Sequence, residues 1–158
     1  MMIATFSLDD QYRHDLREAW DDTLPTAVWC LMNPSIAGID GQPDPTWRKG
    51  VGFSKRLGYG GQVFVNLSDY ICTKLPAGMR PSWSGCNDEF ILRAAAMGDG
   101  SVICAWGALA RGWPRAARVT EMLRRAGFRT MALGFTADGI PRHPLMLPYS
   151  TPLEVWDA

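Results

Sequence analysis

The sequence predicts an α/β domain of three layers, with helices on either side of a four-stranded parallel sheet, and three observations carry that expectation. Four short runs, "TAVWCLM" (26 to 32), "QVFVNL" (62 to 67), "SVICAW" (101 to 106) and "RTMALG" (129 to 134), are apolar almost throughout, as strands covered on both faces must be. Between consecutive runs lie segments with helix start and stop signals. The resulting order β-α-β-α-β-α-β requires right-handed crossovers, which place helices on both faces of one sheet.

Taken in order, residues 1 to 25 precede the first run. They read as an extension packing on the core: a short strand or hairpin, then a helical segment around "HDLREAW", with His14 on the surface among charged neighbours. Asp44 and Pro45 provide N-cap and first-turn signals for the first helix, and Gly58 a stop. Asn87 can cap "DEFILRAAAM". The third helix opens at Pro114, carries an apolar stripe of Val119, Met122, Leu123 and Ala126, and closes at Gly127. There is no internal repeat and no low-complexity linker, so residues 1 to 158 read as a single domain.

Composition narrows the function classes. With 158 residues, 47% of them hydrophobic, the chain can build one core. Sixteen basic residues balance sixteen acidic ones, so nucleic acid could be held only by a local patch and not by the overall field. Cys30, Cys72, Cys86 and Cys104 show no C-x-x-C spacing, and Cys30 and Cys104 fall inside strand runs, where reduced thiols act as small hydrophobes. A reducing compartment and no metal site follow as expectations. The start lacks a secretory pattern and no apolar run is long enough to span a bilayer, so a cytoplasmic protein without a membrane partner is expected. The "GYGG" stretch is no phosphate loop, because no G-K-S/T follows it and it leads into a strand.

Ligands of open α/β sheets bind beyond the carboxyl ends of the strands. This sequence puts its unusual polar residues there. Asn33-Pro34-Ser35 follows the first run, Asn66 ends the second, Trp106-Gly107 ends the third, and His143-Pro144 follows the fourth. Pro141 and Pro144 flank "RH" and restrict the backbone around the imidazole.

The motifs "LMNPSIAG", "DPT", "GYGG", "VNL", "AWG" and "GIPRHPL" look like those of a bacterial and phage family known as domain of unknown function 1643. Their order is also similar to that of the uracil-DNA glycosylase superfamily: an Asp-Pro or Asn-Pro turn after strand one, an Asn at the end of strand two, a "WG" segment after strand three and a His-Pro motif after strand four. That second resemblance implies a uracil-glycosylase-like fold and a mechanism. Breaking an N-glycosidic bond creates oxocarbenium character on the sugar and negative charge on the departing base. It therefore needs a positioned water, a base clamp and a donor to the anion.

By the resemblance, Asn33 positions the water or stabilises the sugar cation, with Pro34 shaping the turn. Asn66 reads the base edge, and His143 donates to the departing base oxygen. Asp44 could return a carboxylate to the site, because the most active relatives carry Asp where this chain has Asn33. Ser35 replaces the tyrosine that blocks the pyrimidine 5-position in the uracil enzymes, which leaves room for a substituent. Trp47 and Trp106 are candidates for stacking on a base. Leu145, or Met146, is the candidate wedge into the gap left by an extruded base. Arg111, Arg115, Arg118 and Arg125 fall along one side of the third helix as candidate phosphate contacts, with Arg142 beside the His143 motif. The iron-sulfur cluster of some superfamily branches is not expected, since the cysteines are widely spread; no cofactor is.

The expected function is a monofunctional DNA glycosylase that removes a 5-substituted pyrimidine and leaves an abasic site. A hypermodified phage base such as glucosylated hydroxymethylcytosine would make it an anti-phage defence enzyme. DNA is its expected partner, and no protein partner is expected. Two alternatives stay open: a non-catalytic module that binds a nucleobase or DNA, favoured by the missing Asp at position 33, and a hydrolase or transferase of free modified nucleosides, favoured by the neutral net charge.

Overall fold

The computed structural model describes residues 1–35, 42–76 and 78–157. In chain order the elements are strands β1 (Ile3–Phe6), β2 (Arg13–Ala19) and β3 (Thr26–Leu31), helix α1 (Pro45–Arg56), strand β4 (Gly61–Asn66), helix α2 (Asn87–Ala95) and strand β5 (Ser101–Cys104). A short 3₁₀ turn (Ala108–Ala110), helix α3 (Pro114–Arg125) and strands β6 (Arg129–Ala132) and β7 (Glu154–Val155) complete the chain. The sheet order is β1-β2-β4-β3-β5-β6-β7. The four expected strands are the central β4, β3, β5 and β6, and they run parallel. They are flanked by antiparallel β2 and β1 on one side and β7 on the other, so the sheet is a mixed one of seven strands.

Alternation along β3 builds both layers. Val28, Cys30 and Met32 face one buried cluster with Ile91 of α2 and Val119 and Leu123 of α3. Ala27, Trp29 and Leu31 face the other, with Trp47 and Phe53 of α1. Helices therefore cover both faces, as right-handed crossovers require when β3-α1-β4 steps one way along the sheet and β4-α2-β5-α3-β6 steps back the other. Trp29 is completely buried, and its Nε1 donates to Ser54 Oγ at 3.0 Å. Truncating it would cost on the order of 3–5 kcal/mol. Gly50 lets α1 approach the sheet, because a Cβ there would meet the Phe64 ring at 2.7 Å.

Helix punctuation follows the sequence at α1 and α3. Asp44 caps α1 by accepting from Trp47 N at 2.7 Å. Gly58 (φ 88°) and Gly127 (φ 91°) end α1 and α3 in the left-handed conformation that glycine tolerates. Ala126, expected in the apolar stripe of α3, is exposed. Asn87 does not cap α2: Cys86 stands at that position without a side-chain bond, and Asn87 Nδ2 instead donates to the Asn66 and Leu67 carbonyls at 3.1 and 3.0 Å.

The amino-terminal segment corrects the expectation of a helix around "HDLREAW". Residues 13 to 19 form β2, paired with both β1 and β4. Helix-forming residue types are overridden here by the ladder bonds that β4 offers on its open edge. Arg13, His14 and Asp15 at the start of β2 are buried, while Arg17 and Glu18 are half-buried. His14, expected on the surface, is 6% exposed, with Nδ1 2.7 Å from Asp69 Oδ2 and its ring stacked on Phe90.

Candidate active site

The point where the crossovers change direction lies between β3 and β5, the place where an open α/β sheet leaves a crevice beyond its strand ends. A cleft of about 430 Å³ sits there. Its walls bring together Asn33, Ser35, Asp44, Asn66 and His143, the polar residues singled out in the sequence. Pro34, Trp106 and Leu145 also line it.

Each polar group is held by its local backbone. The turn after β3 is clamped to the segment after β4: Asn33 Nδ2 donates to Cys72 O at 2.8 Å, and Cys72 N donates to Pro34 O at 3.0 Å. That fixes the Asn33 amide and leaves its Oδ1 as an acceptor. Asp44 uses Oδ1 to cap α1, and its Oδ2 accepts from Ser35 Oγ at 2.6 Å. Asn66 closes β4 at 2% exposure, and its Nδ2 is buried without a hydrogen-bond partner among the described residues. Such a donor costs free energy until something supplies an acceptor. Residues Ile36, Ala37 and Gly38 of the first motif lie outside the described residues.

His143 rides on a tight return after β6, where Thr136 N donates to Ile140 O and Arg142 N to Gly134 O. The return closes onto Gly107, whose N–H donates to Pro141 O at 3.0 Å. Gly107 has φ 77°, and a Cβ on it would stand 3.0 Å from His143 Cβ, so the glycine of "AWG" is what lets the histidine loop seat. Burial pushes the His143 pKa below 6.5, against the opposing field of Asp44, so the ring is neutral at pH 7. His143 Nδ1 accepts from Leu145 N at 3.2 Å, which puts the proton of the neutral ring on Nε2. No protein group among the described residues hydrogen-bonds Nε2. The cleft thus holds a neutral donor, a carboxylate, an amide acceptor and an unsatisfied amide donor.

Sequence reasoning missed Arg13. This residue of β2 lines the cleft at 3% exposure. Burial lowers its pKa to about 10, partly offset by Asp44 and Asp15, so it stays cationic at neutral pH and balances the Asp44 carboxylate. Its signal was hidden in a segment of alternating charges that reads as a solvated helix.

Other expected site residues lie elsewhere or take a different part. Trp47 is a core residue, packed on Phe64 at 4.8 Å, and does not line the cleft. Trp106 is 3% exposed with its ring against Trp156 at 5.6 Å, so it forms a wall and not an open stacking platform. Arg115 is not a phosphate contact. It is 2% exposed, donates from Nε to Leu67 O at 2.7 Å, pairs with Asp88 at 2.6 Å and lies over Trp83. Arg111 precedes α3, exposed and paired with Asp138, while Arg125 pairs with Glu121. Arg118 and Arg142 are exposed.

Two further clusters are structural in geometry. Asp69, His14, Ser84 and Cys86 lie together, but the Asp69 carboxylate is consumed by His14, Ser84 N and Ser84 Oγ. The Cys86 sulfur sits 3.9 Å from both ring nitrogens of His14, off the in-plane direction in which either would bond it. A larger hollow of about 740 Å³ between α3 and Trp156 is mainly apolar, and the arginine-acid pairs at its rim satisfy each other. Its lining gathers no reactive polar set comparable to that of the smaller cleft. Cys30 and Cys104 are buried as expected, and burial pushes the Cys30 thiol up to about 12.

Fold and site together define an α/β protein with a polar cleft at the carboxyl ends of its parallel strands. The chain belongs to the family described as "Protein of unknown function (DUF1643)", whose profile matches residues 13–145. No curated protein matches the chain, and no solved structure does. Among the described residues, no helix is long and apolar enough to cross a membrane.

Proposed function

We propose that the protein is a DNA glycosylase that hydrolyses the bond between a 5-substituted pyrimidine and deoxyribose and leaves an abasic site. The observation that carries the reading is the convergence of Asn33, Asp44, Asn66 and neutral His143 on one cleft. The similarity of the motif order to uracil-DNA glycosylases assigns the roles. A base extruded into the cleft presents its Watson-Crick edge to Asn66, whose buried Nδ2 lacks an acceptor until a base carbonyl arrives. His143 Nε2–H donates to the base oxygen on which negative charge gathers, and a neutral donor does this without becoming a strong acid. Asp44 and the Asn33 carbonyl lie on the sugar side, where they hold the attacking water and face the oxocarbenium carbon. The water's oxygen bonds to the sugar carbon, its proton passes to the carboxylate, and the base leaves with the bonding pair.

Ser35 carries the specificity argument. It lines the cleft with a small side chain turned to Asp44, leaving space where a tyrosine would exclude a 5-substituent. Hypermodified phage bases belong to that substrate class, which makes anti-phage defence the biological role.

The test is to incubate the protein with DNA carrying unmodified, hydroxymethylated or glucosylated cytosine, or uracil, and to measure free base and alkali-labile breaks. Base release from the bulky substrates is expected, and Ser35→Tyr is expected to abolish it by overlap. Undiminished release by a folded Ser35→Tyr protein removes the case for a 5-substituted substrate. Reaction of free nucleosides with no DNA product replaces the reading by a nucleoside enzyme.

A further inference from the structure

A second hollow, about 250 Å³, opens beside the cleft, and the two share Met32, Asn33, Thr73 and Leu109 as walls. Its far side carries Lys74 and Arg80, and no Asp or Glu among the described residues lines it. In a chain whose sixteen basic and sixteen acidic residues cancel, a groove whose described lining carries two cations and no carboxylate, joined to a polar cleft, is a local anion field. Lys74 is exposed and makes no ion pair among the described residues. Arg80 is exposed but oriented, since its Nη2 donates to Arg111 O at 2.7 Å. Between hollow and cleft stands Leu109, on the 3₁₀ turn after β5, with 75% of its surface in solvent. A large apolar side chain is not held that far out of the core by packing.

We infer that a DNA strand crosses the mouth of the cleft along this groove, with Lys74 and Arg80 on backbone phosphates flanking the nucleotide that enters the cleft and Leu109 filling the place it vacates. The inference rests on the proposed glycosylase reading for its choice of occupant. Charge complementarity supports it, because a polyanion is what a pair of exposed cations attracts. The exposed apolar side chain of Leu109 fits a base stack. It also moves the strand contact away from α3, where Arg115 is buried and Arg125 is spent on Glu121.

The experiment measures anisotropy of labelled single-stranded and duplex oligonucleotides bound to full-length protein across a salt series, in an Asp44→Asn background that slows turnover, with readings taken before product forms. A free deoxynucleoside monophosphate serves as competitor. Lys74→Gln with Arg80→Gln is expected to weaken binding at least tenfold. It should also flatten the salt slope by about 1.4 for a single strand and about 1.8 for duplex, the release from two phosphates. Leu109→Ala is expected to weaken binding to an oligonucleotide containing an extrudable base more than to one without. Arg118→Gln with Arg125→Gln on α3 is the control and should change neither affinity nor slope.

An unchanged salt slope in the Lys74/Arg80 variant, an equal loss in the α3 control, or binding of the monophosphate but of no oligonucleotide overturns the inference. Base release and strand binding separate the two readings. DNA binding that depends on Lys74 and Arg80 with no base released sustains the groove and removes the glycosylase. Base release unaffected at any salt by the Lys74/Arg80 substitutions removes the groove and leaves the glycosylase.

Discussion

Replacing Asn66 by Ala should leave the protein at least as stable as the parent while removing its ability to hold a base. The side chain is 2% exposed, and its Nδ2 has no hydrogen-bond partner among the described residues. A buried donor in that state costs about 1–3 kcal/mol. Truncation removes the penalty, and because Asn66 lines an open cleft, water fills the space and little sealed cavity results. The backbone carbonyl of residue 66 keeps its bond from Asn87, so the strand end stays in place. The net change is expected to lie between zero and about 2 kcal/mol of stabilisation. At about 2–4 °C per kcal/mol for a chain of this size, that is a melting temperature unchanged or raised by up to about 8 °C. Calorimetry of the two proteins, beside base release from a cleavable DNA, makes the measurement. A drop of more than about 1 kcal/mol would show that Nδ2 already has an acceptor in the free protein. The base-clamp role would then lose its physical basis.

The other expectations concern the same cleft. Asp44→Asn keeps an N-cap acceptor and should fold normally, whereas Asp44→Ala should lose about 1 kcal/mol more through the lost cap; both should slow base release on the order of a hundredfold or more, measured by denaturant titration and single-turnover rates. Activity should be full above pH 6.5 and fall as the pH drops through the lowered His143 pKa, since protonation removes the neutral donor; Asp44→Asn, which removes the field opposing that shift, should move this limb to still lower pH. The same depressed pKa makes His143 a source of stability that is present above pH 6.5 and lost as pH falls through the folded value. Gly107→Ala combines a strained φ with a contact to His143 Cβ, so it should lower turnover more than substrate affinity. Equal turnover in that variant would show that the loop seats without Gly107.

The parallel core was legible because β3, β4 and β5 are buried on both faces and so carry unbroken apolar runs. The polar residues of the cleft were legible for the converse reason: Asn33 and Asn66 stand at the ends of such runs and His143 in the proline-bounded loop after the last one, where no packing argument calls for them. The β2 strand was not legible. Arg13 and His14 are buried facing charges far along the chain, Asp44 and Asp69, while Asp15 pairs with Arg17 two residues on, and a sequence window sees only the charges. Arg115 misled for the same reason, since its spacing matches a solvated stripe while its guanidinium pins Leu67 O and Asp88. Asn87 resembles a cap, yet its amide is spent on the carbonyls at the end of β4.

On the proposed reading, the cleft beyond β3 and β5 hydrolyses a glycosidic bond in DNA. The most direct test of that reading is mass spectrometry of single-turnover reactions on DNA containing glucosylated hydroxymethylcytosine, with free base and abasic sites counted separately. One free base for each abasic site is expected from the parent protein, with release slowed on the order of a hundredfold or more by Asp44→Asn and abolished by adding Asn33→Ala. No free base from any modified DNA at stoichiometric enzyme, or undiminished release by the folded double variant, contradicts it.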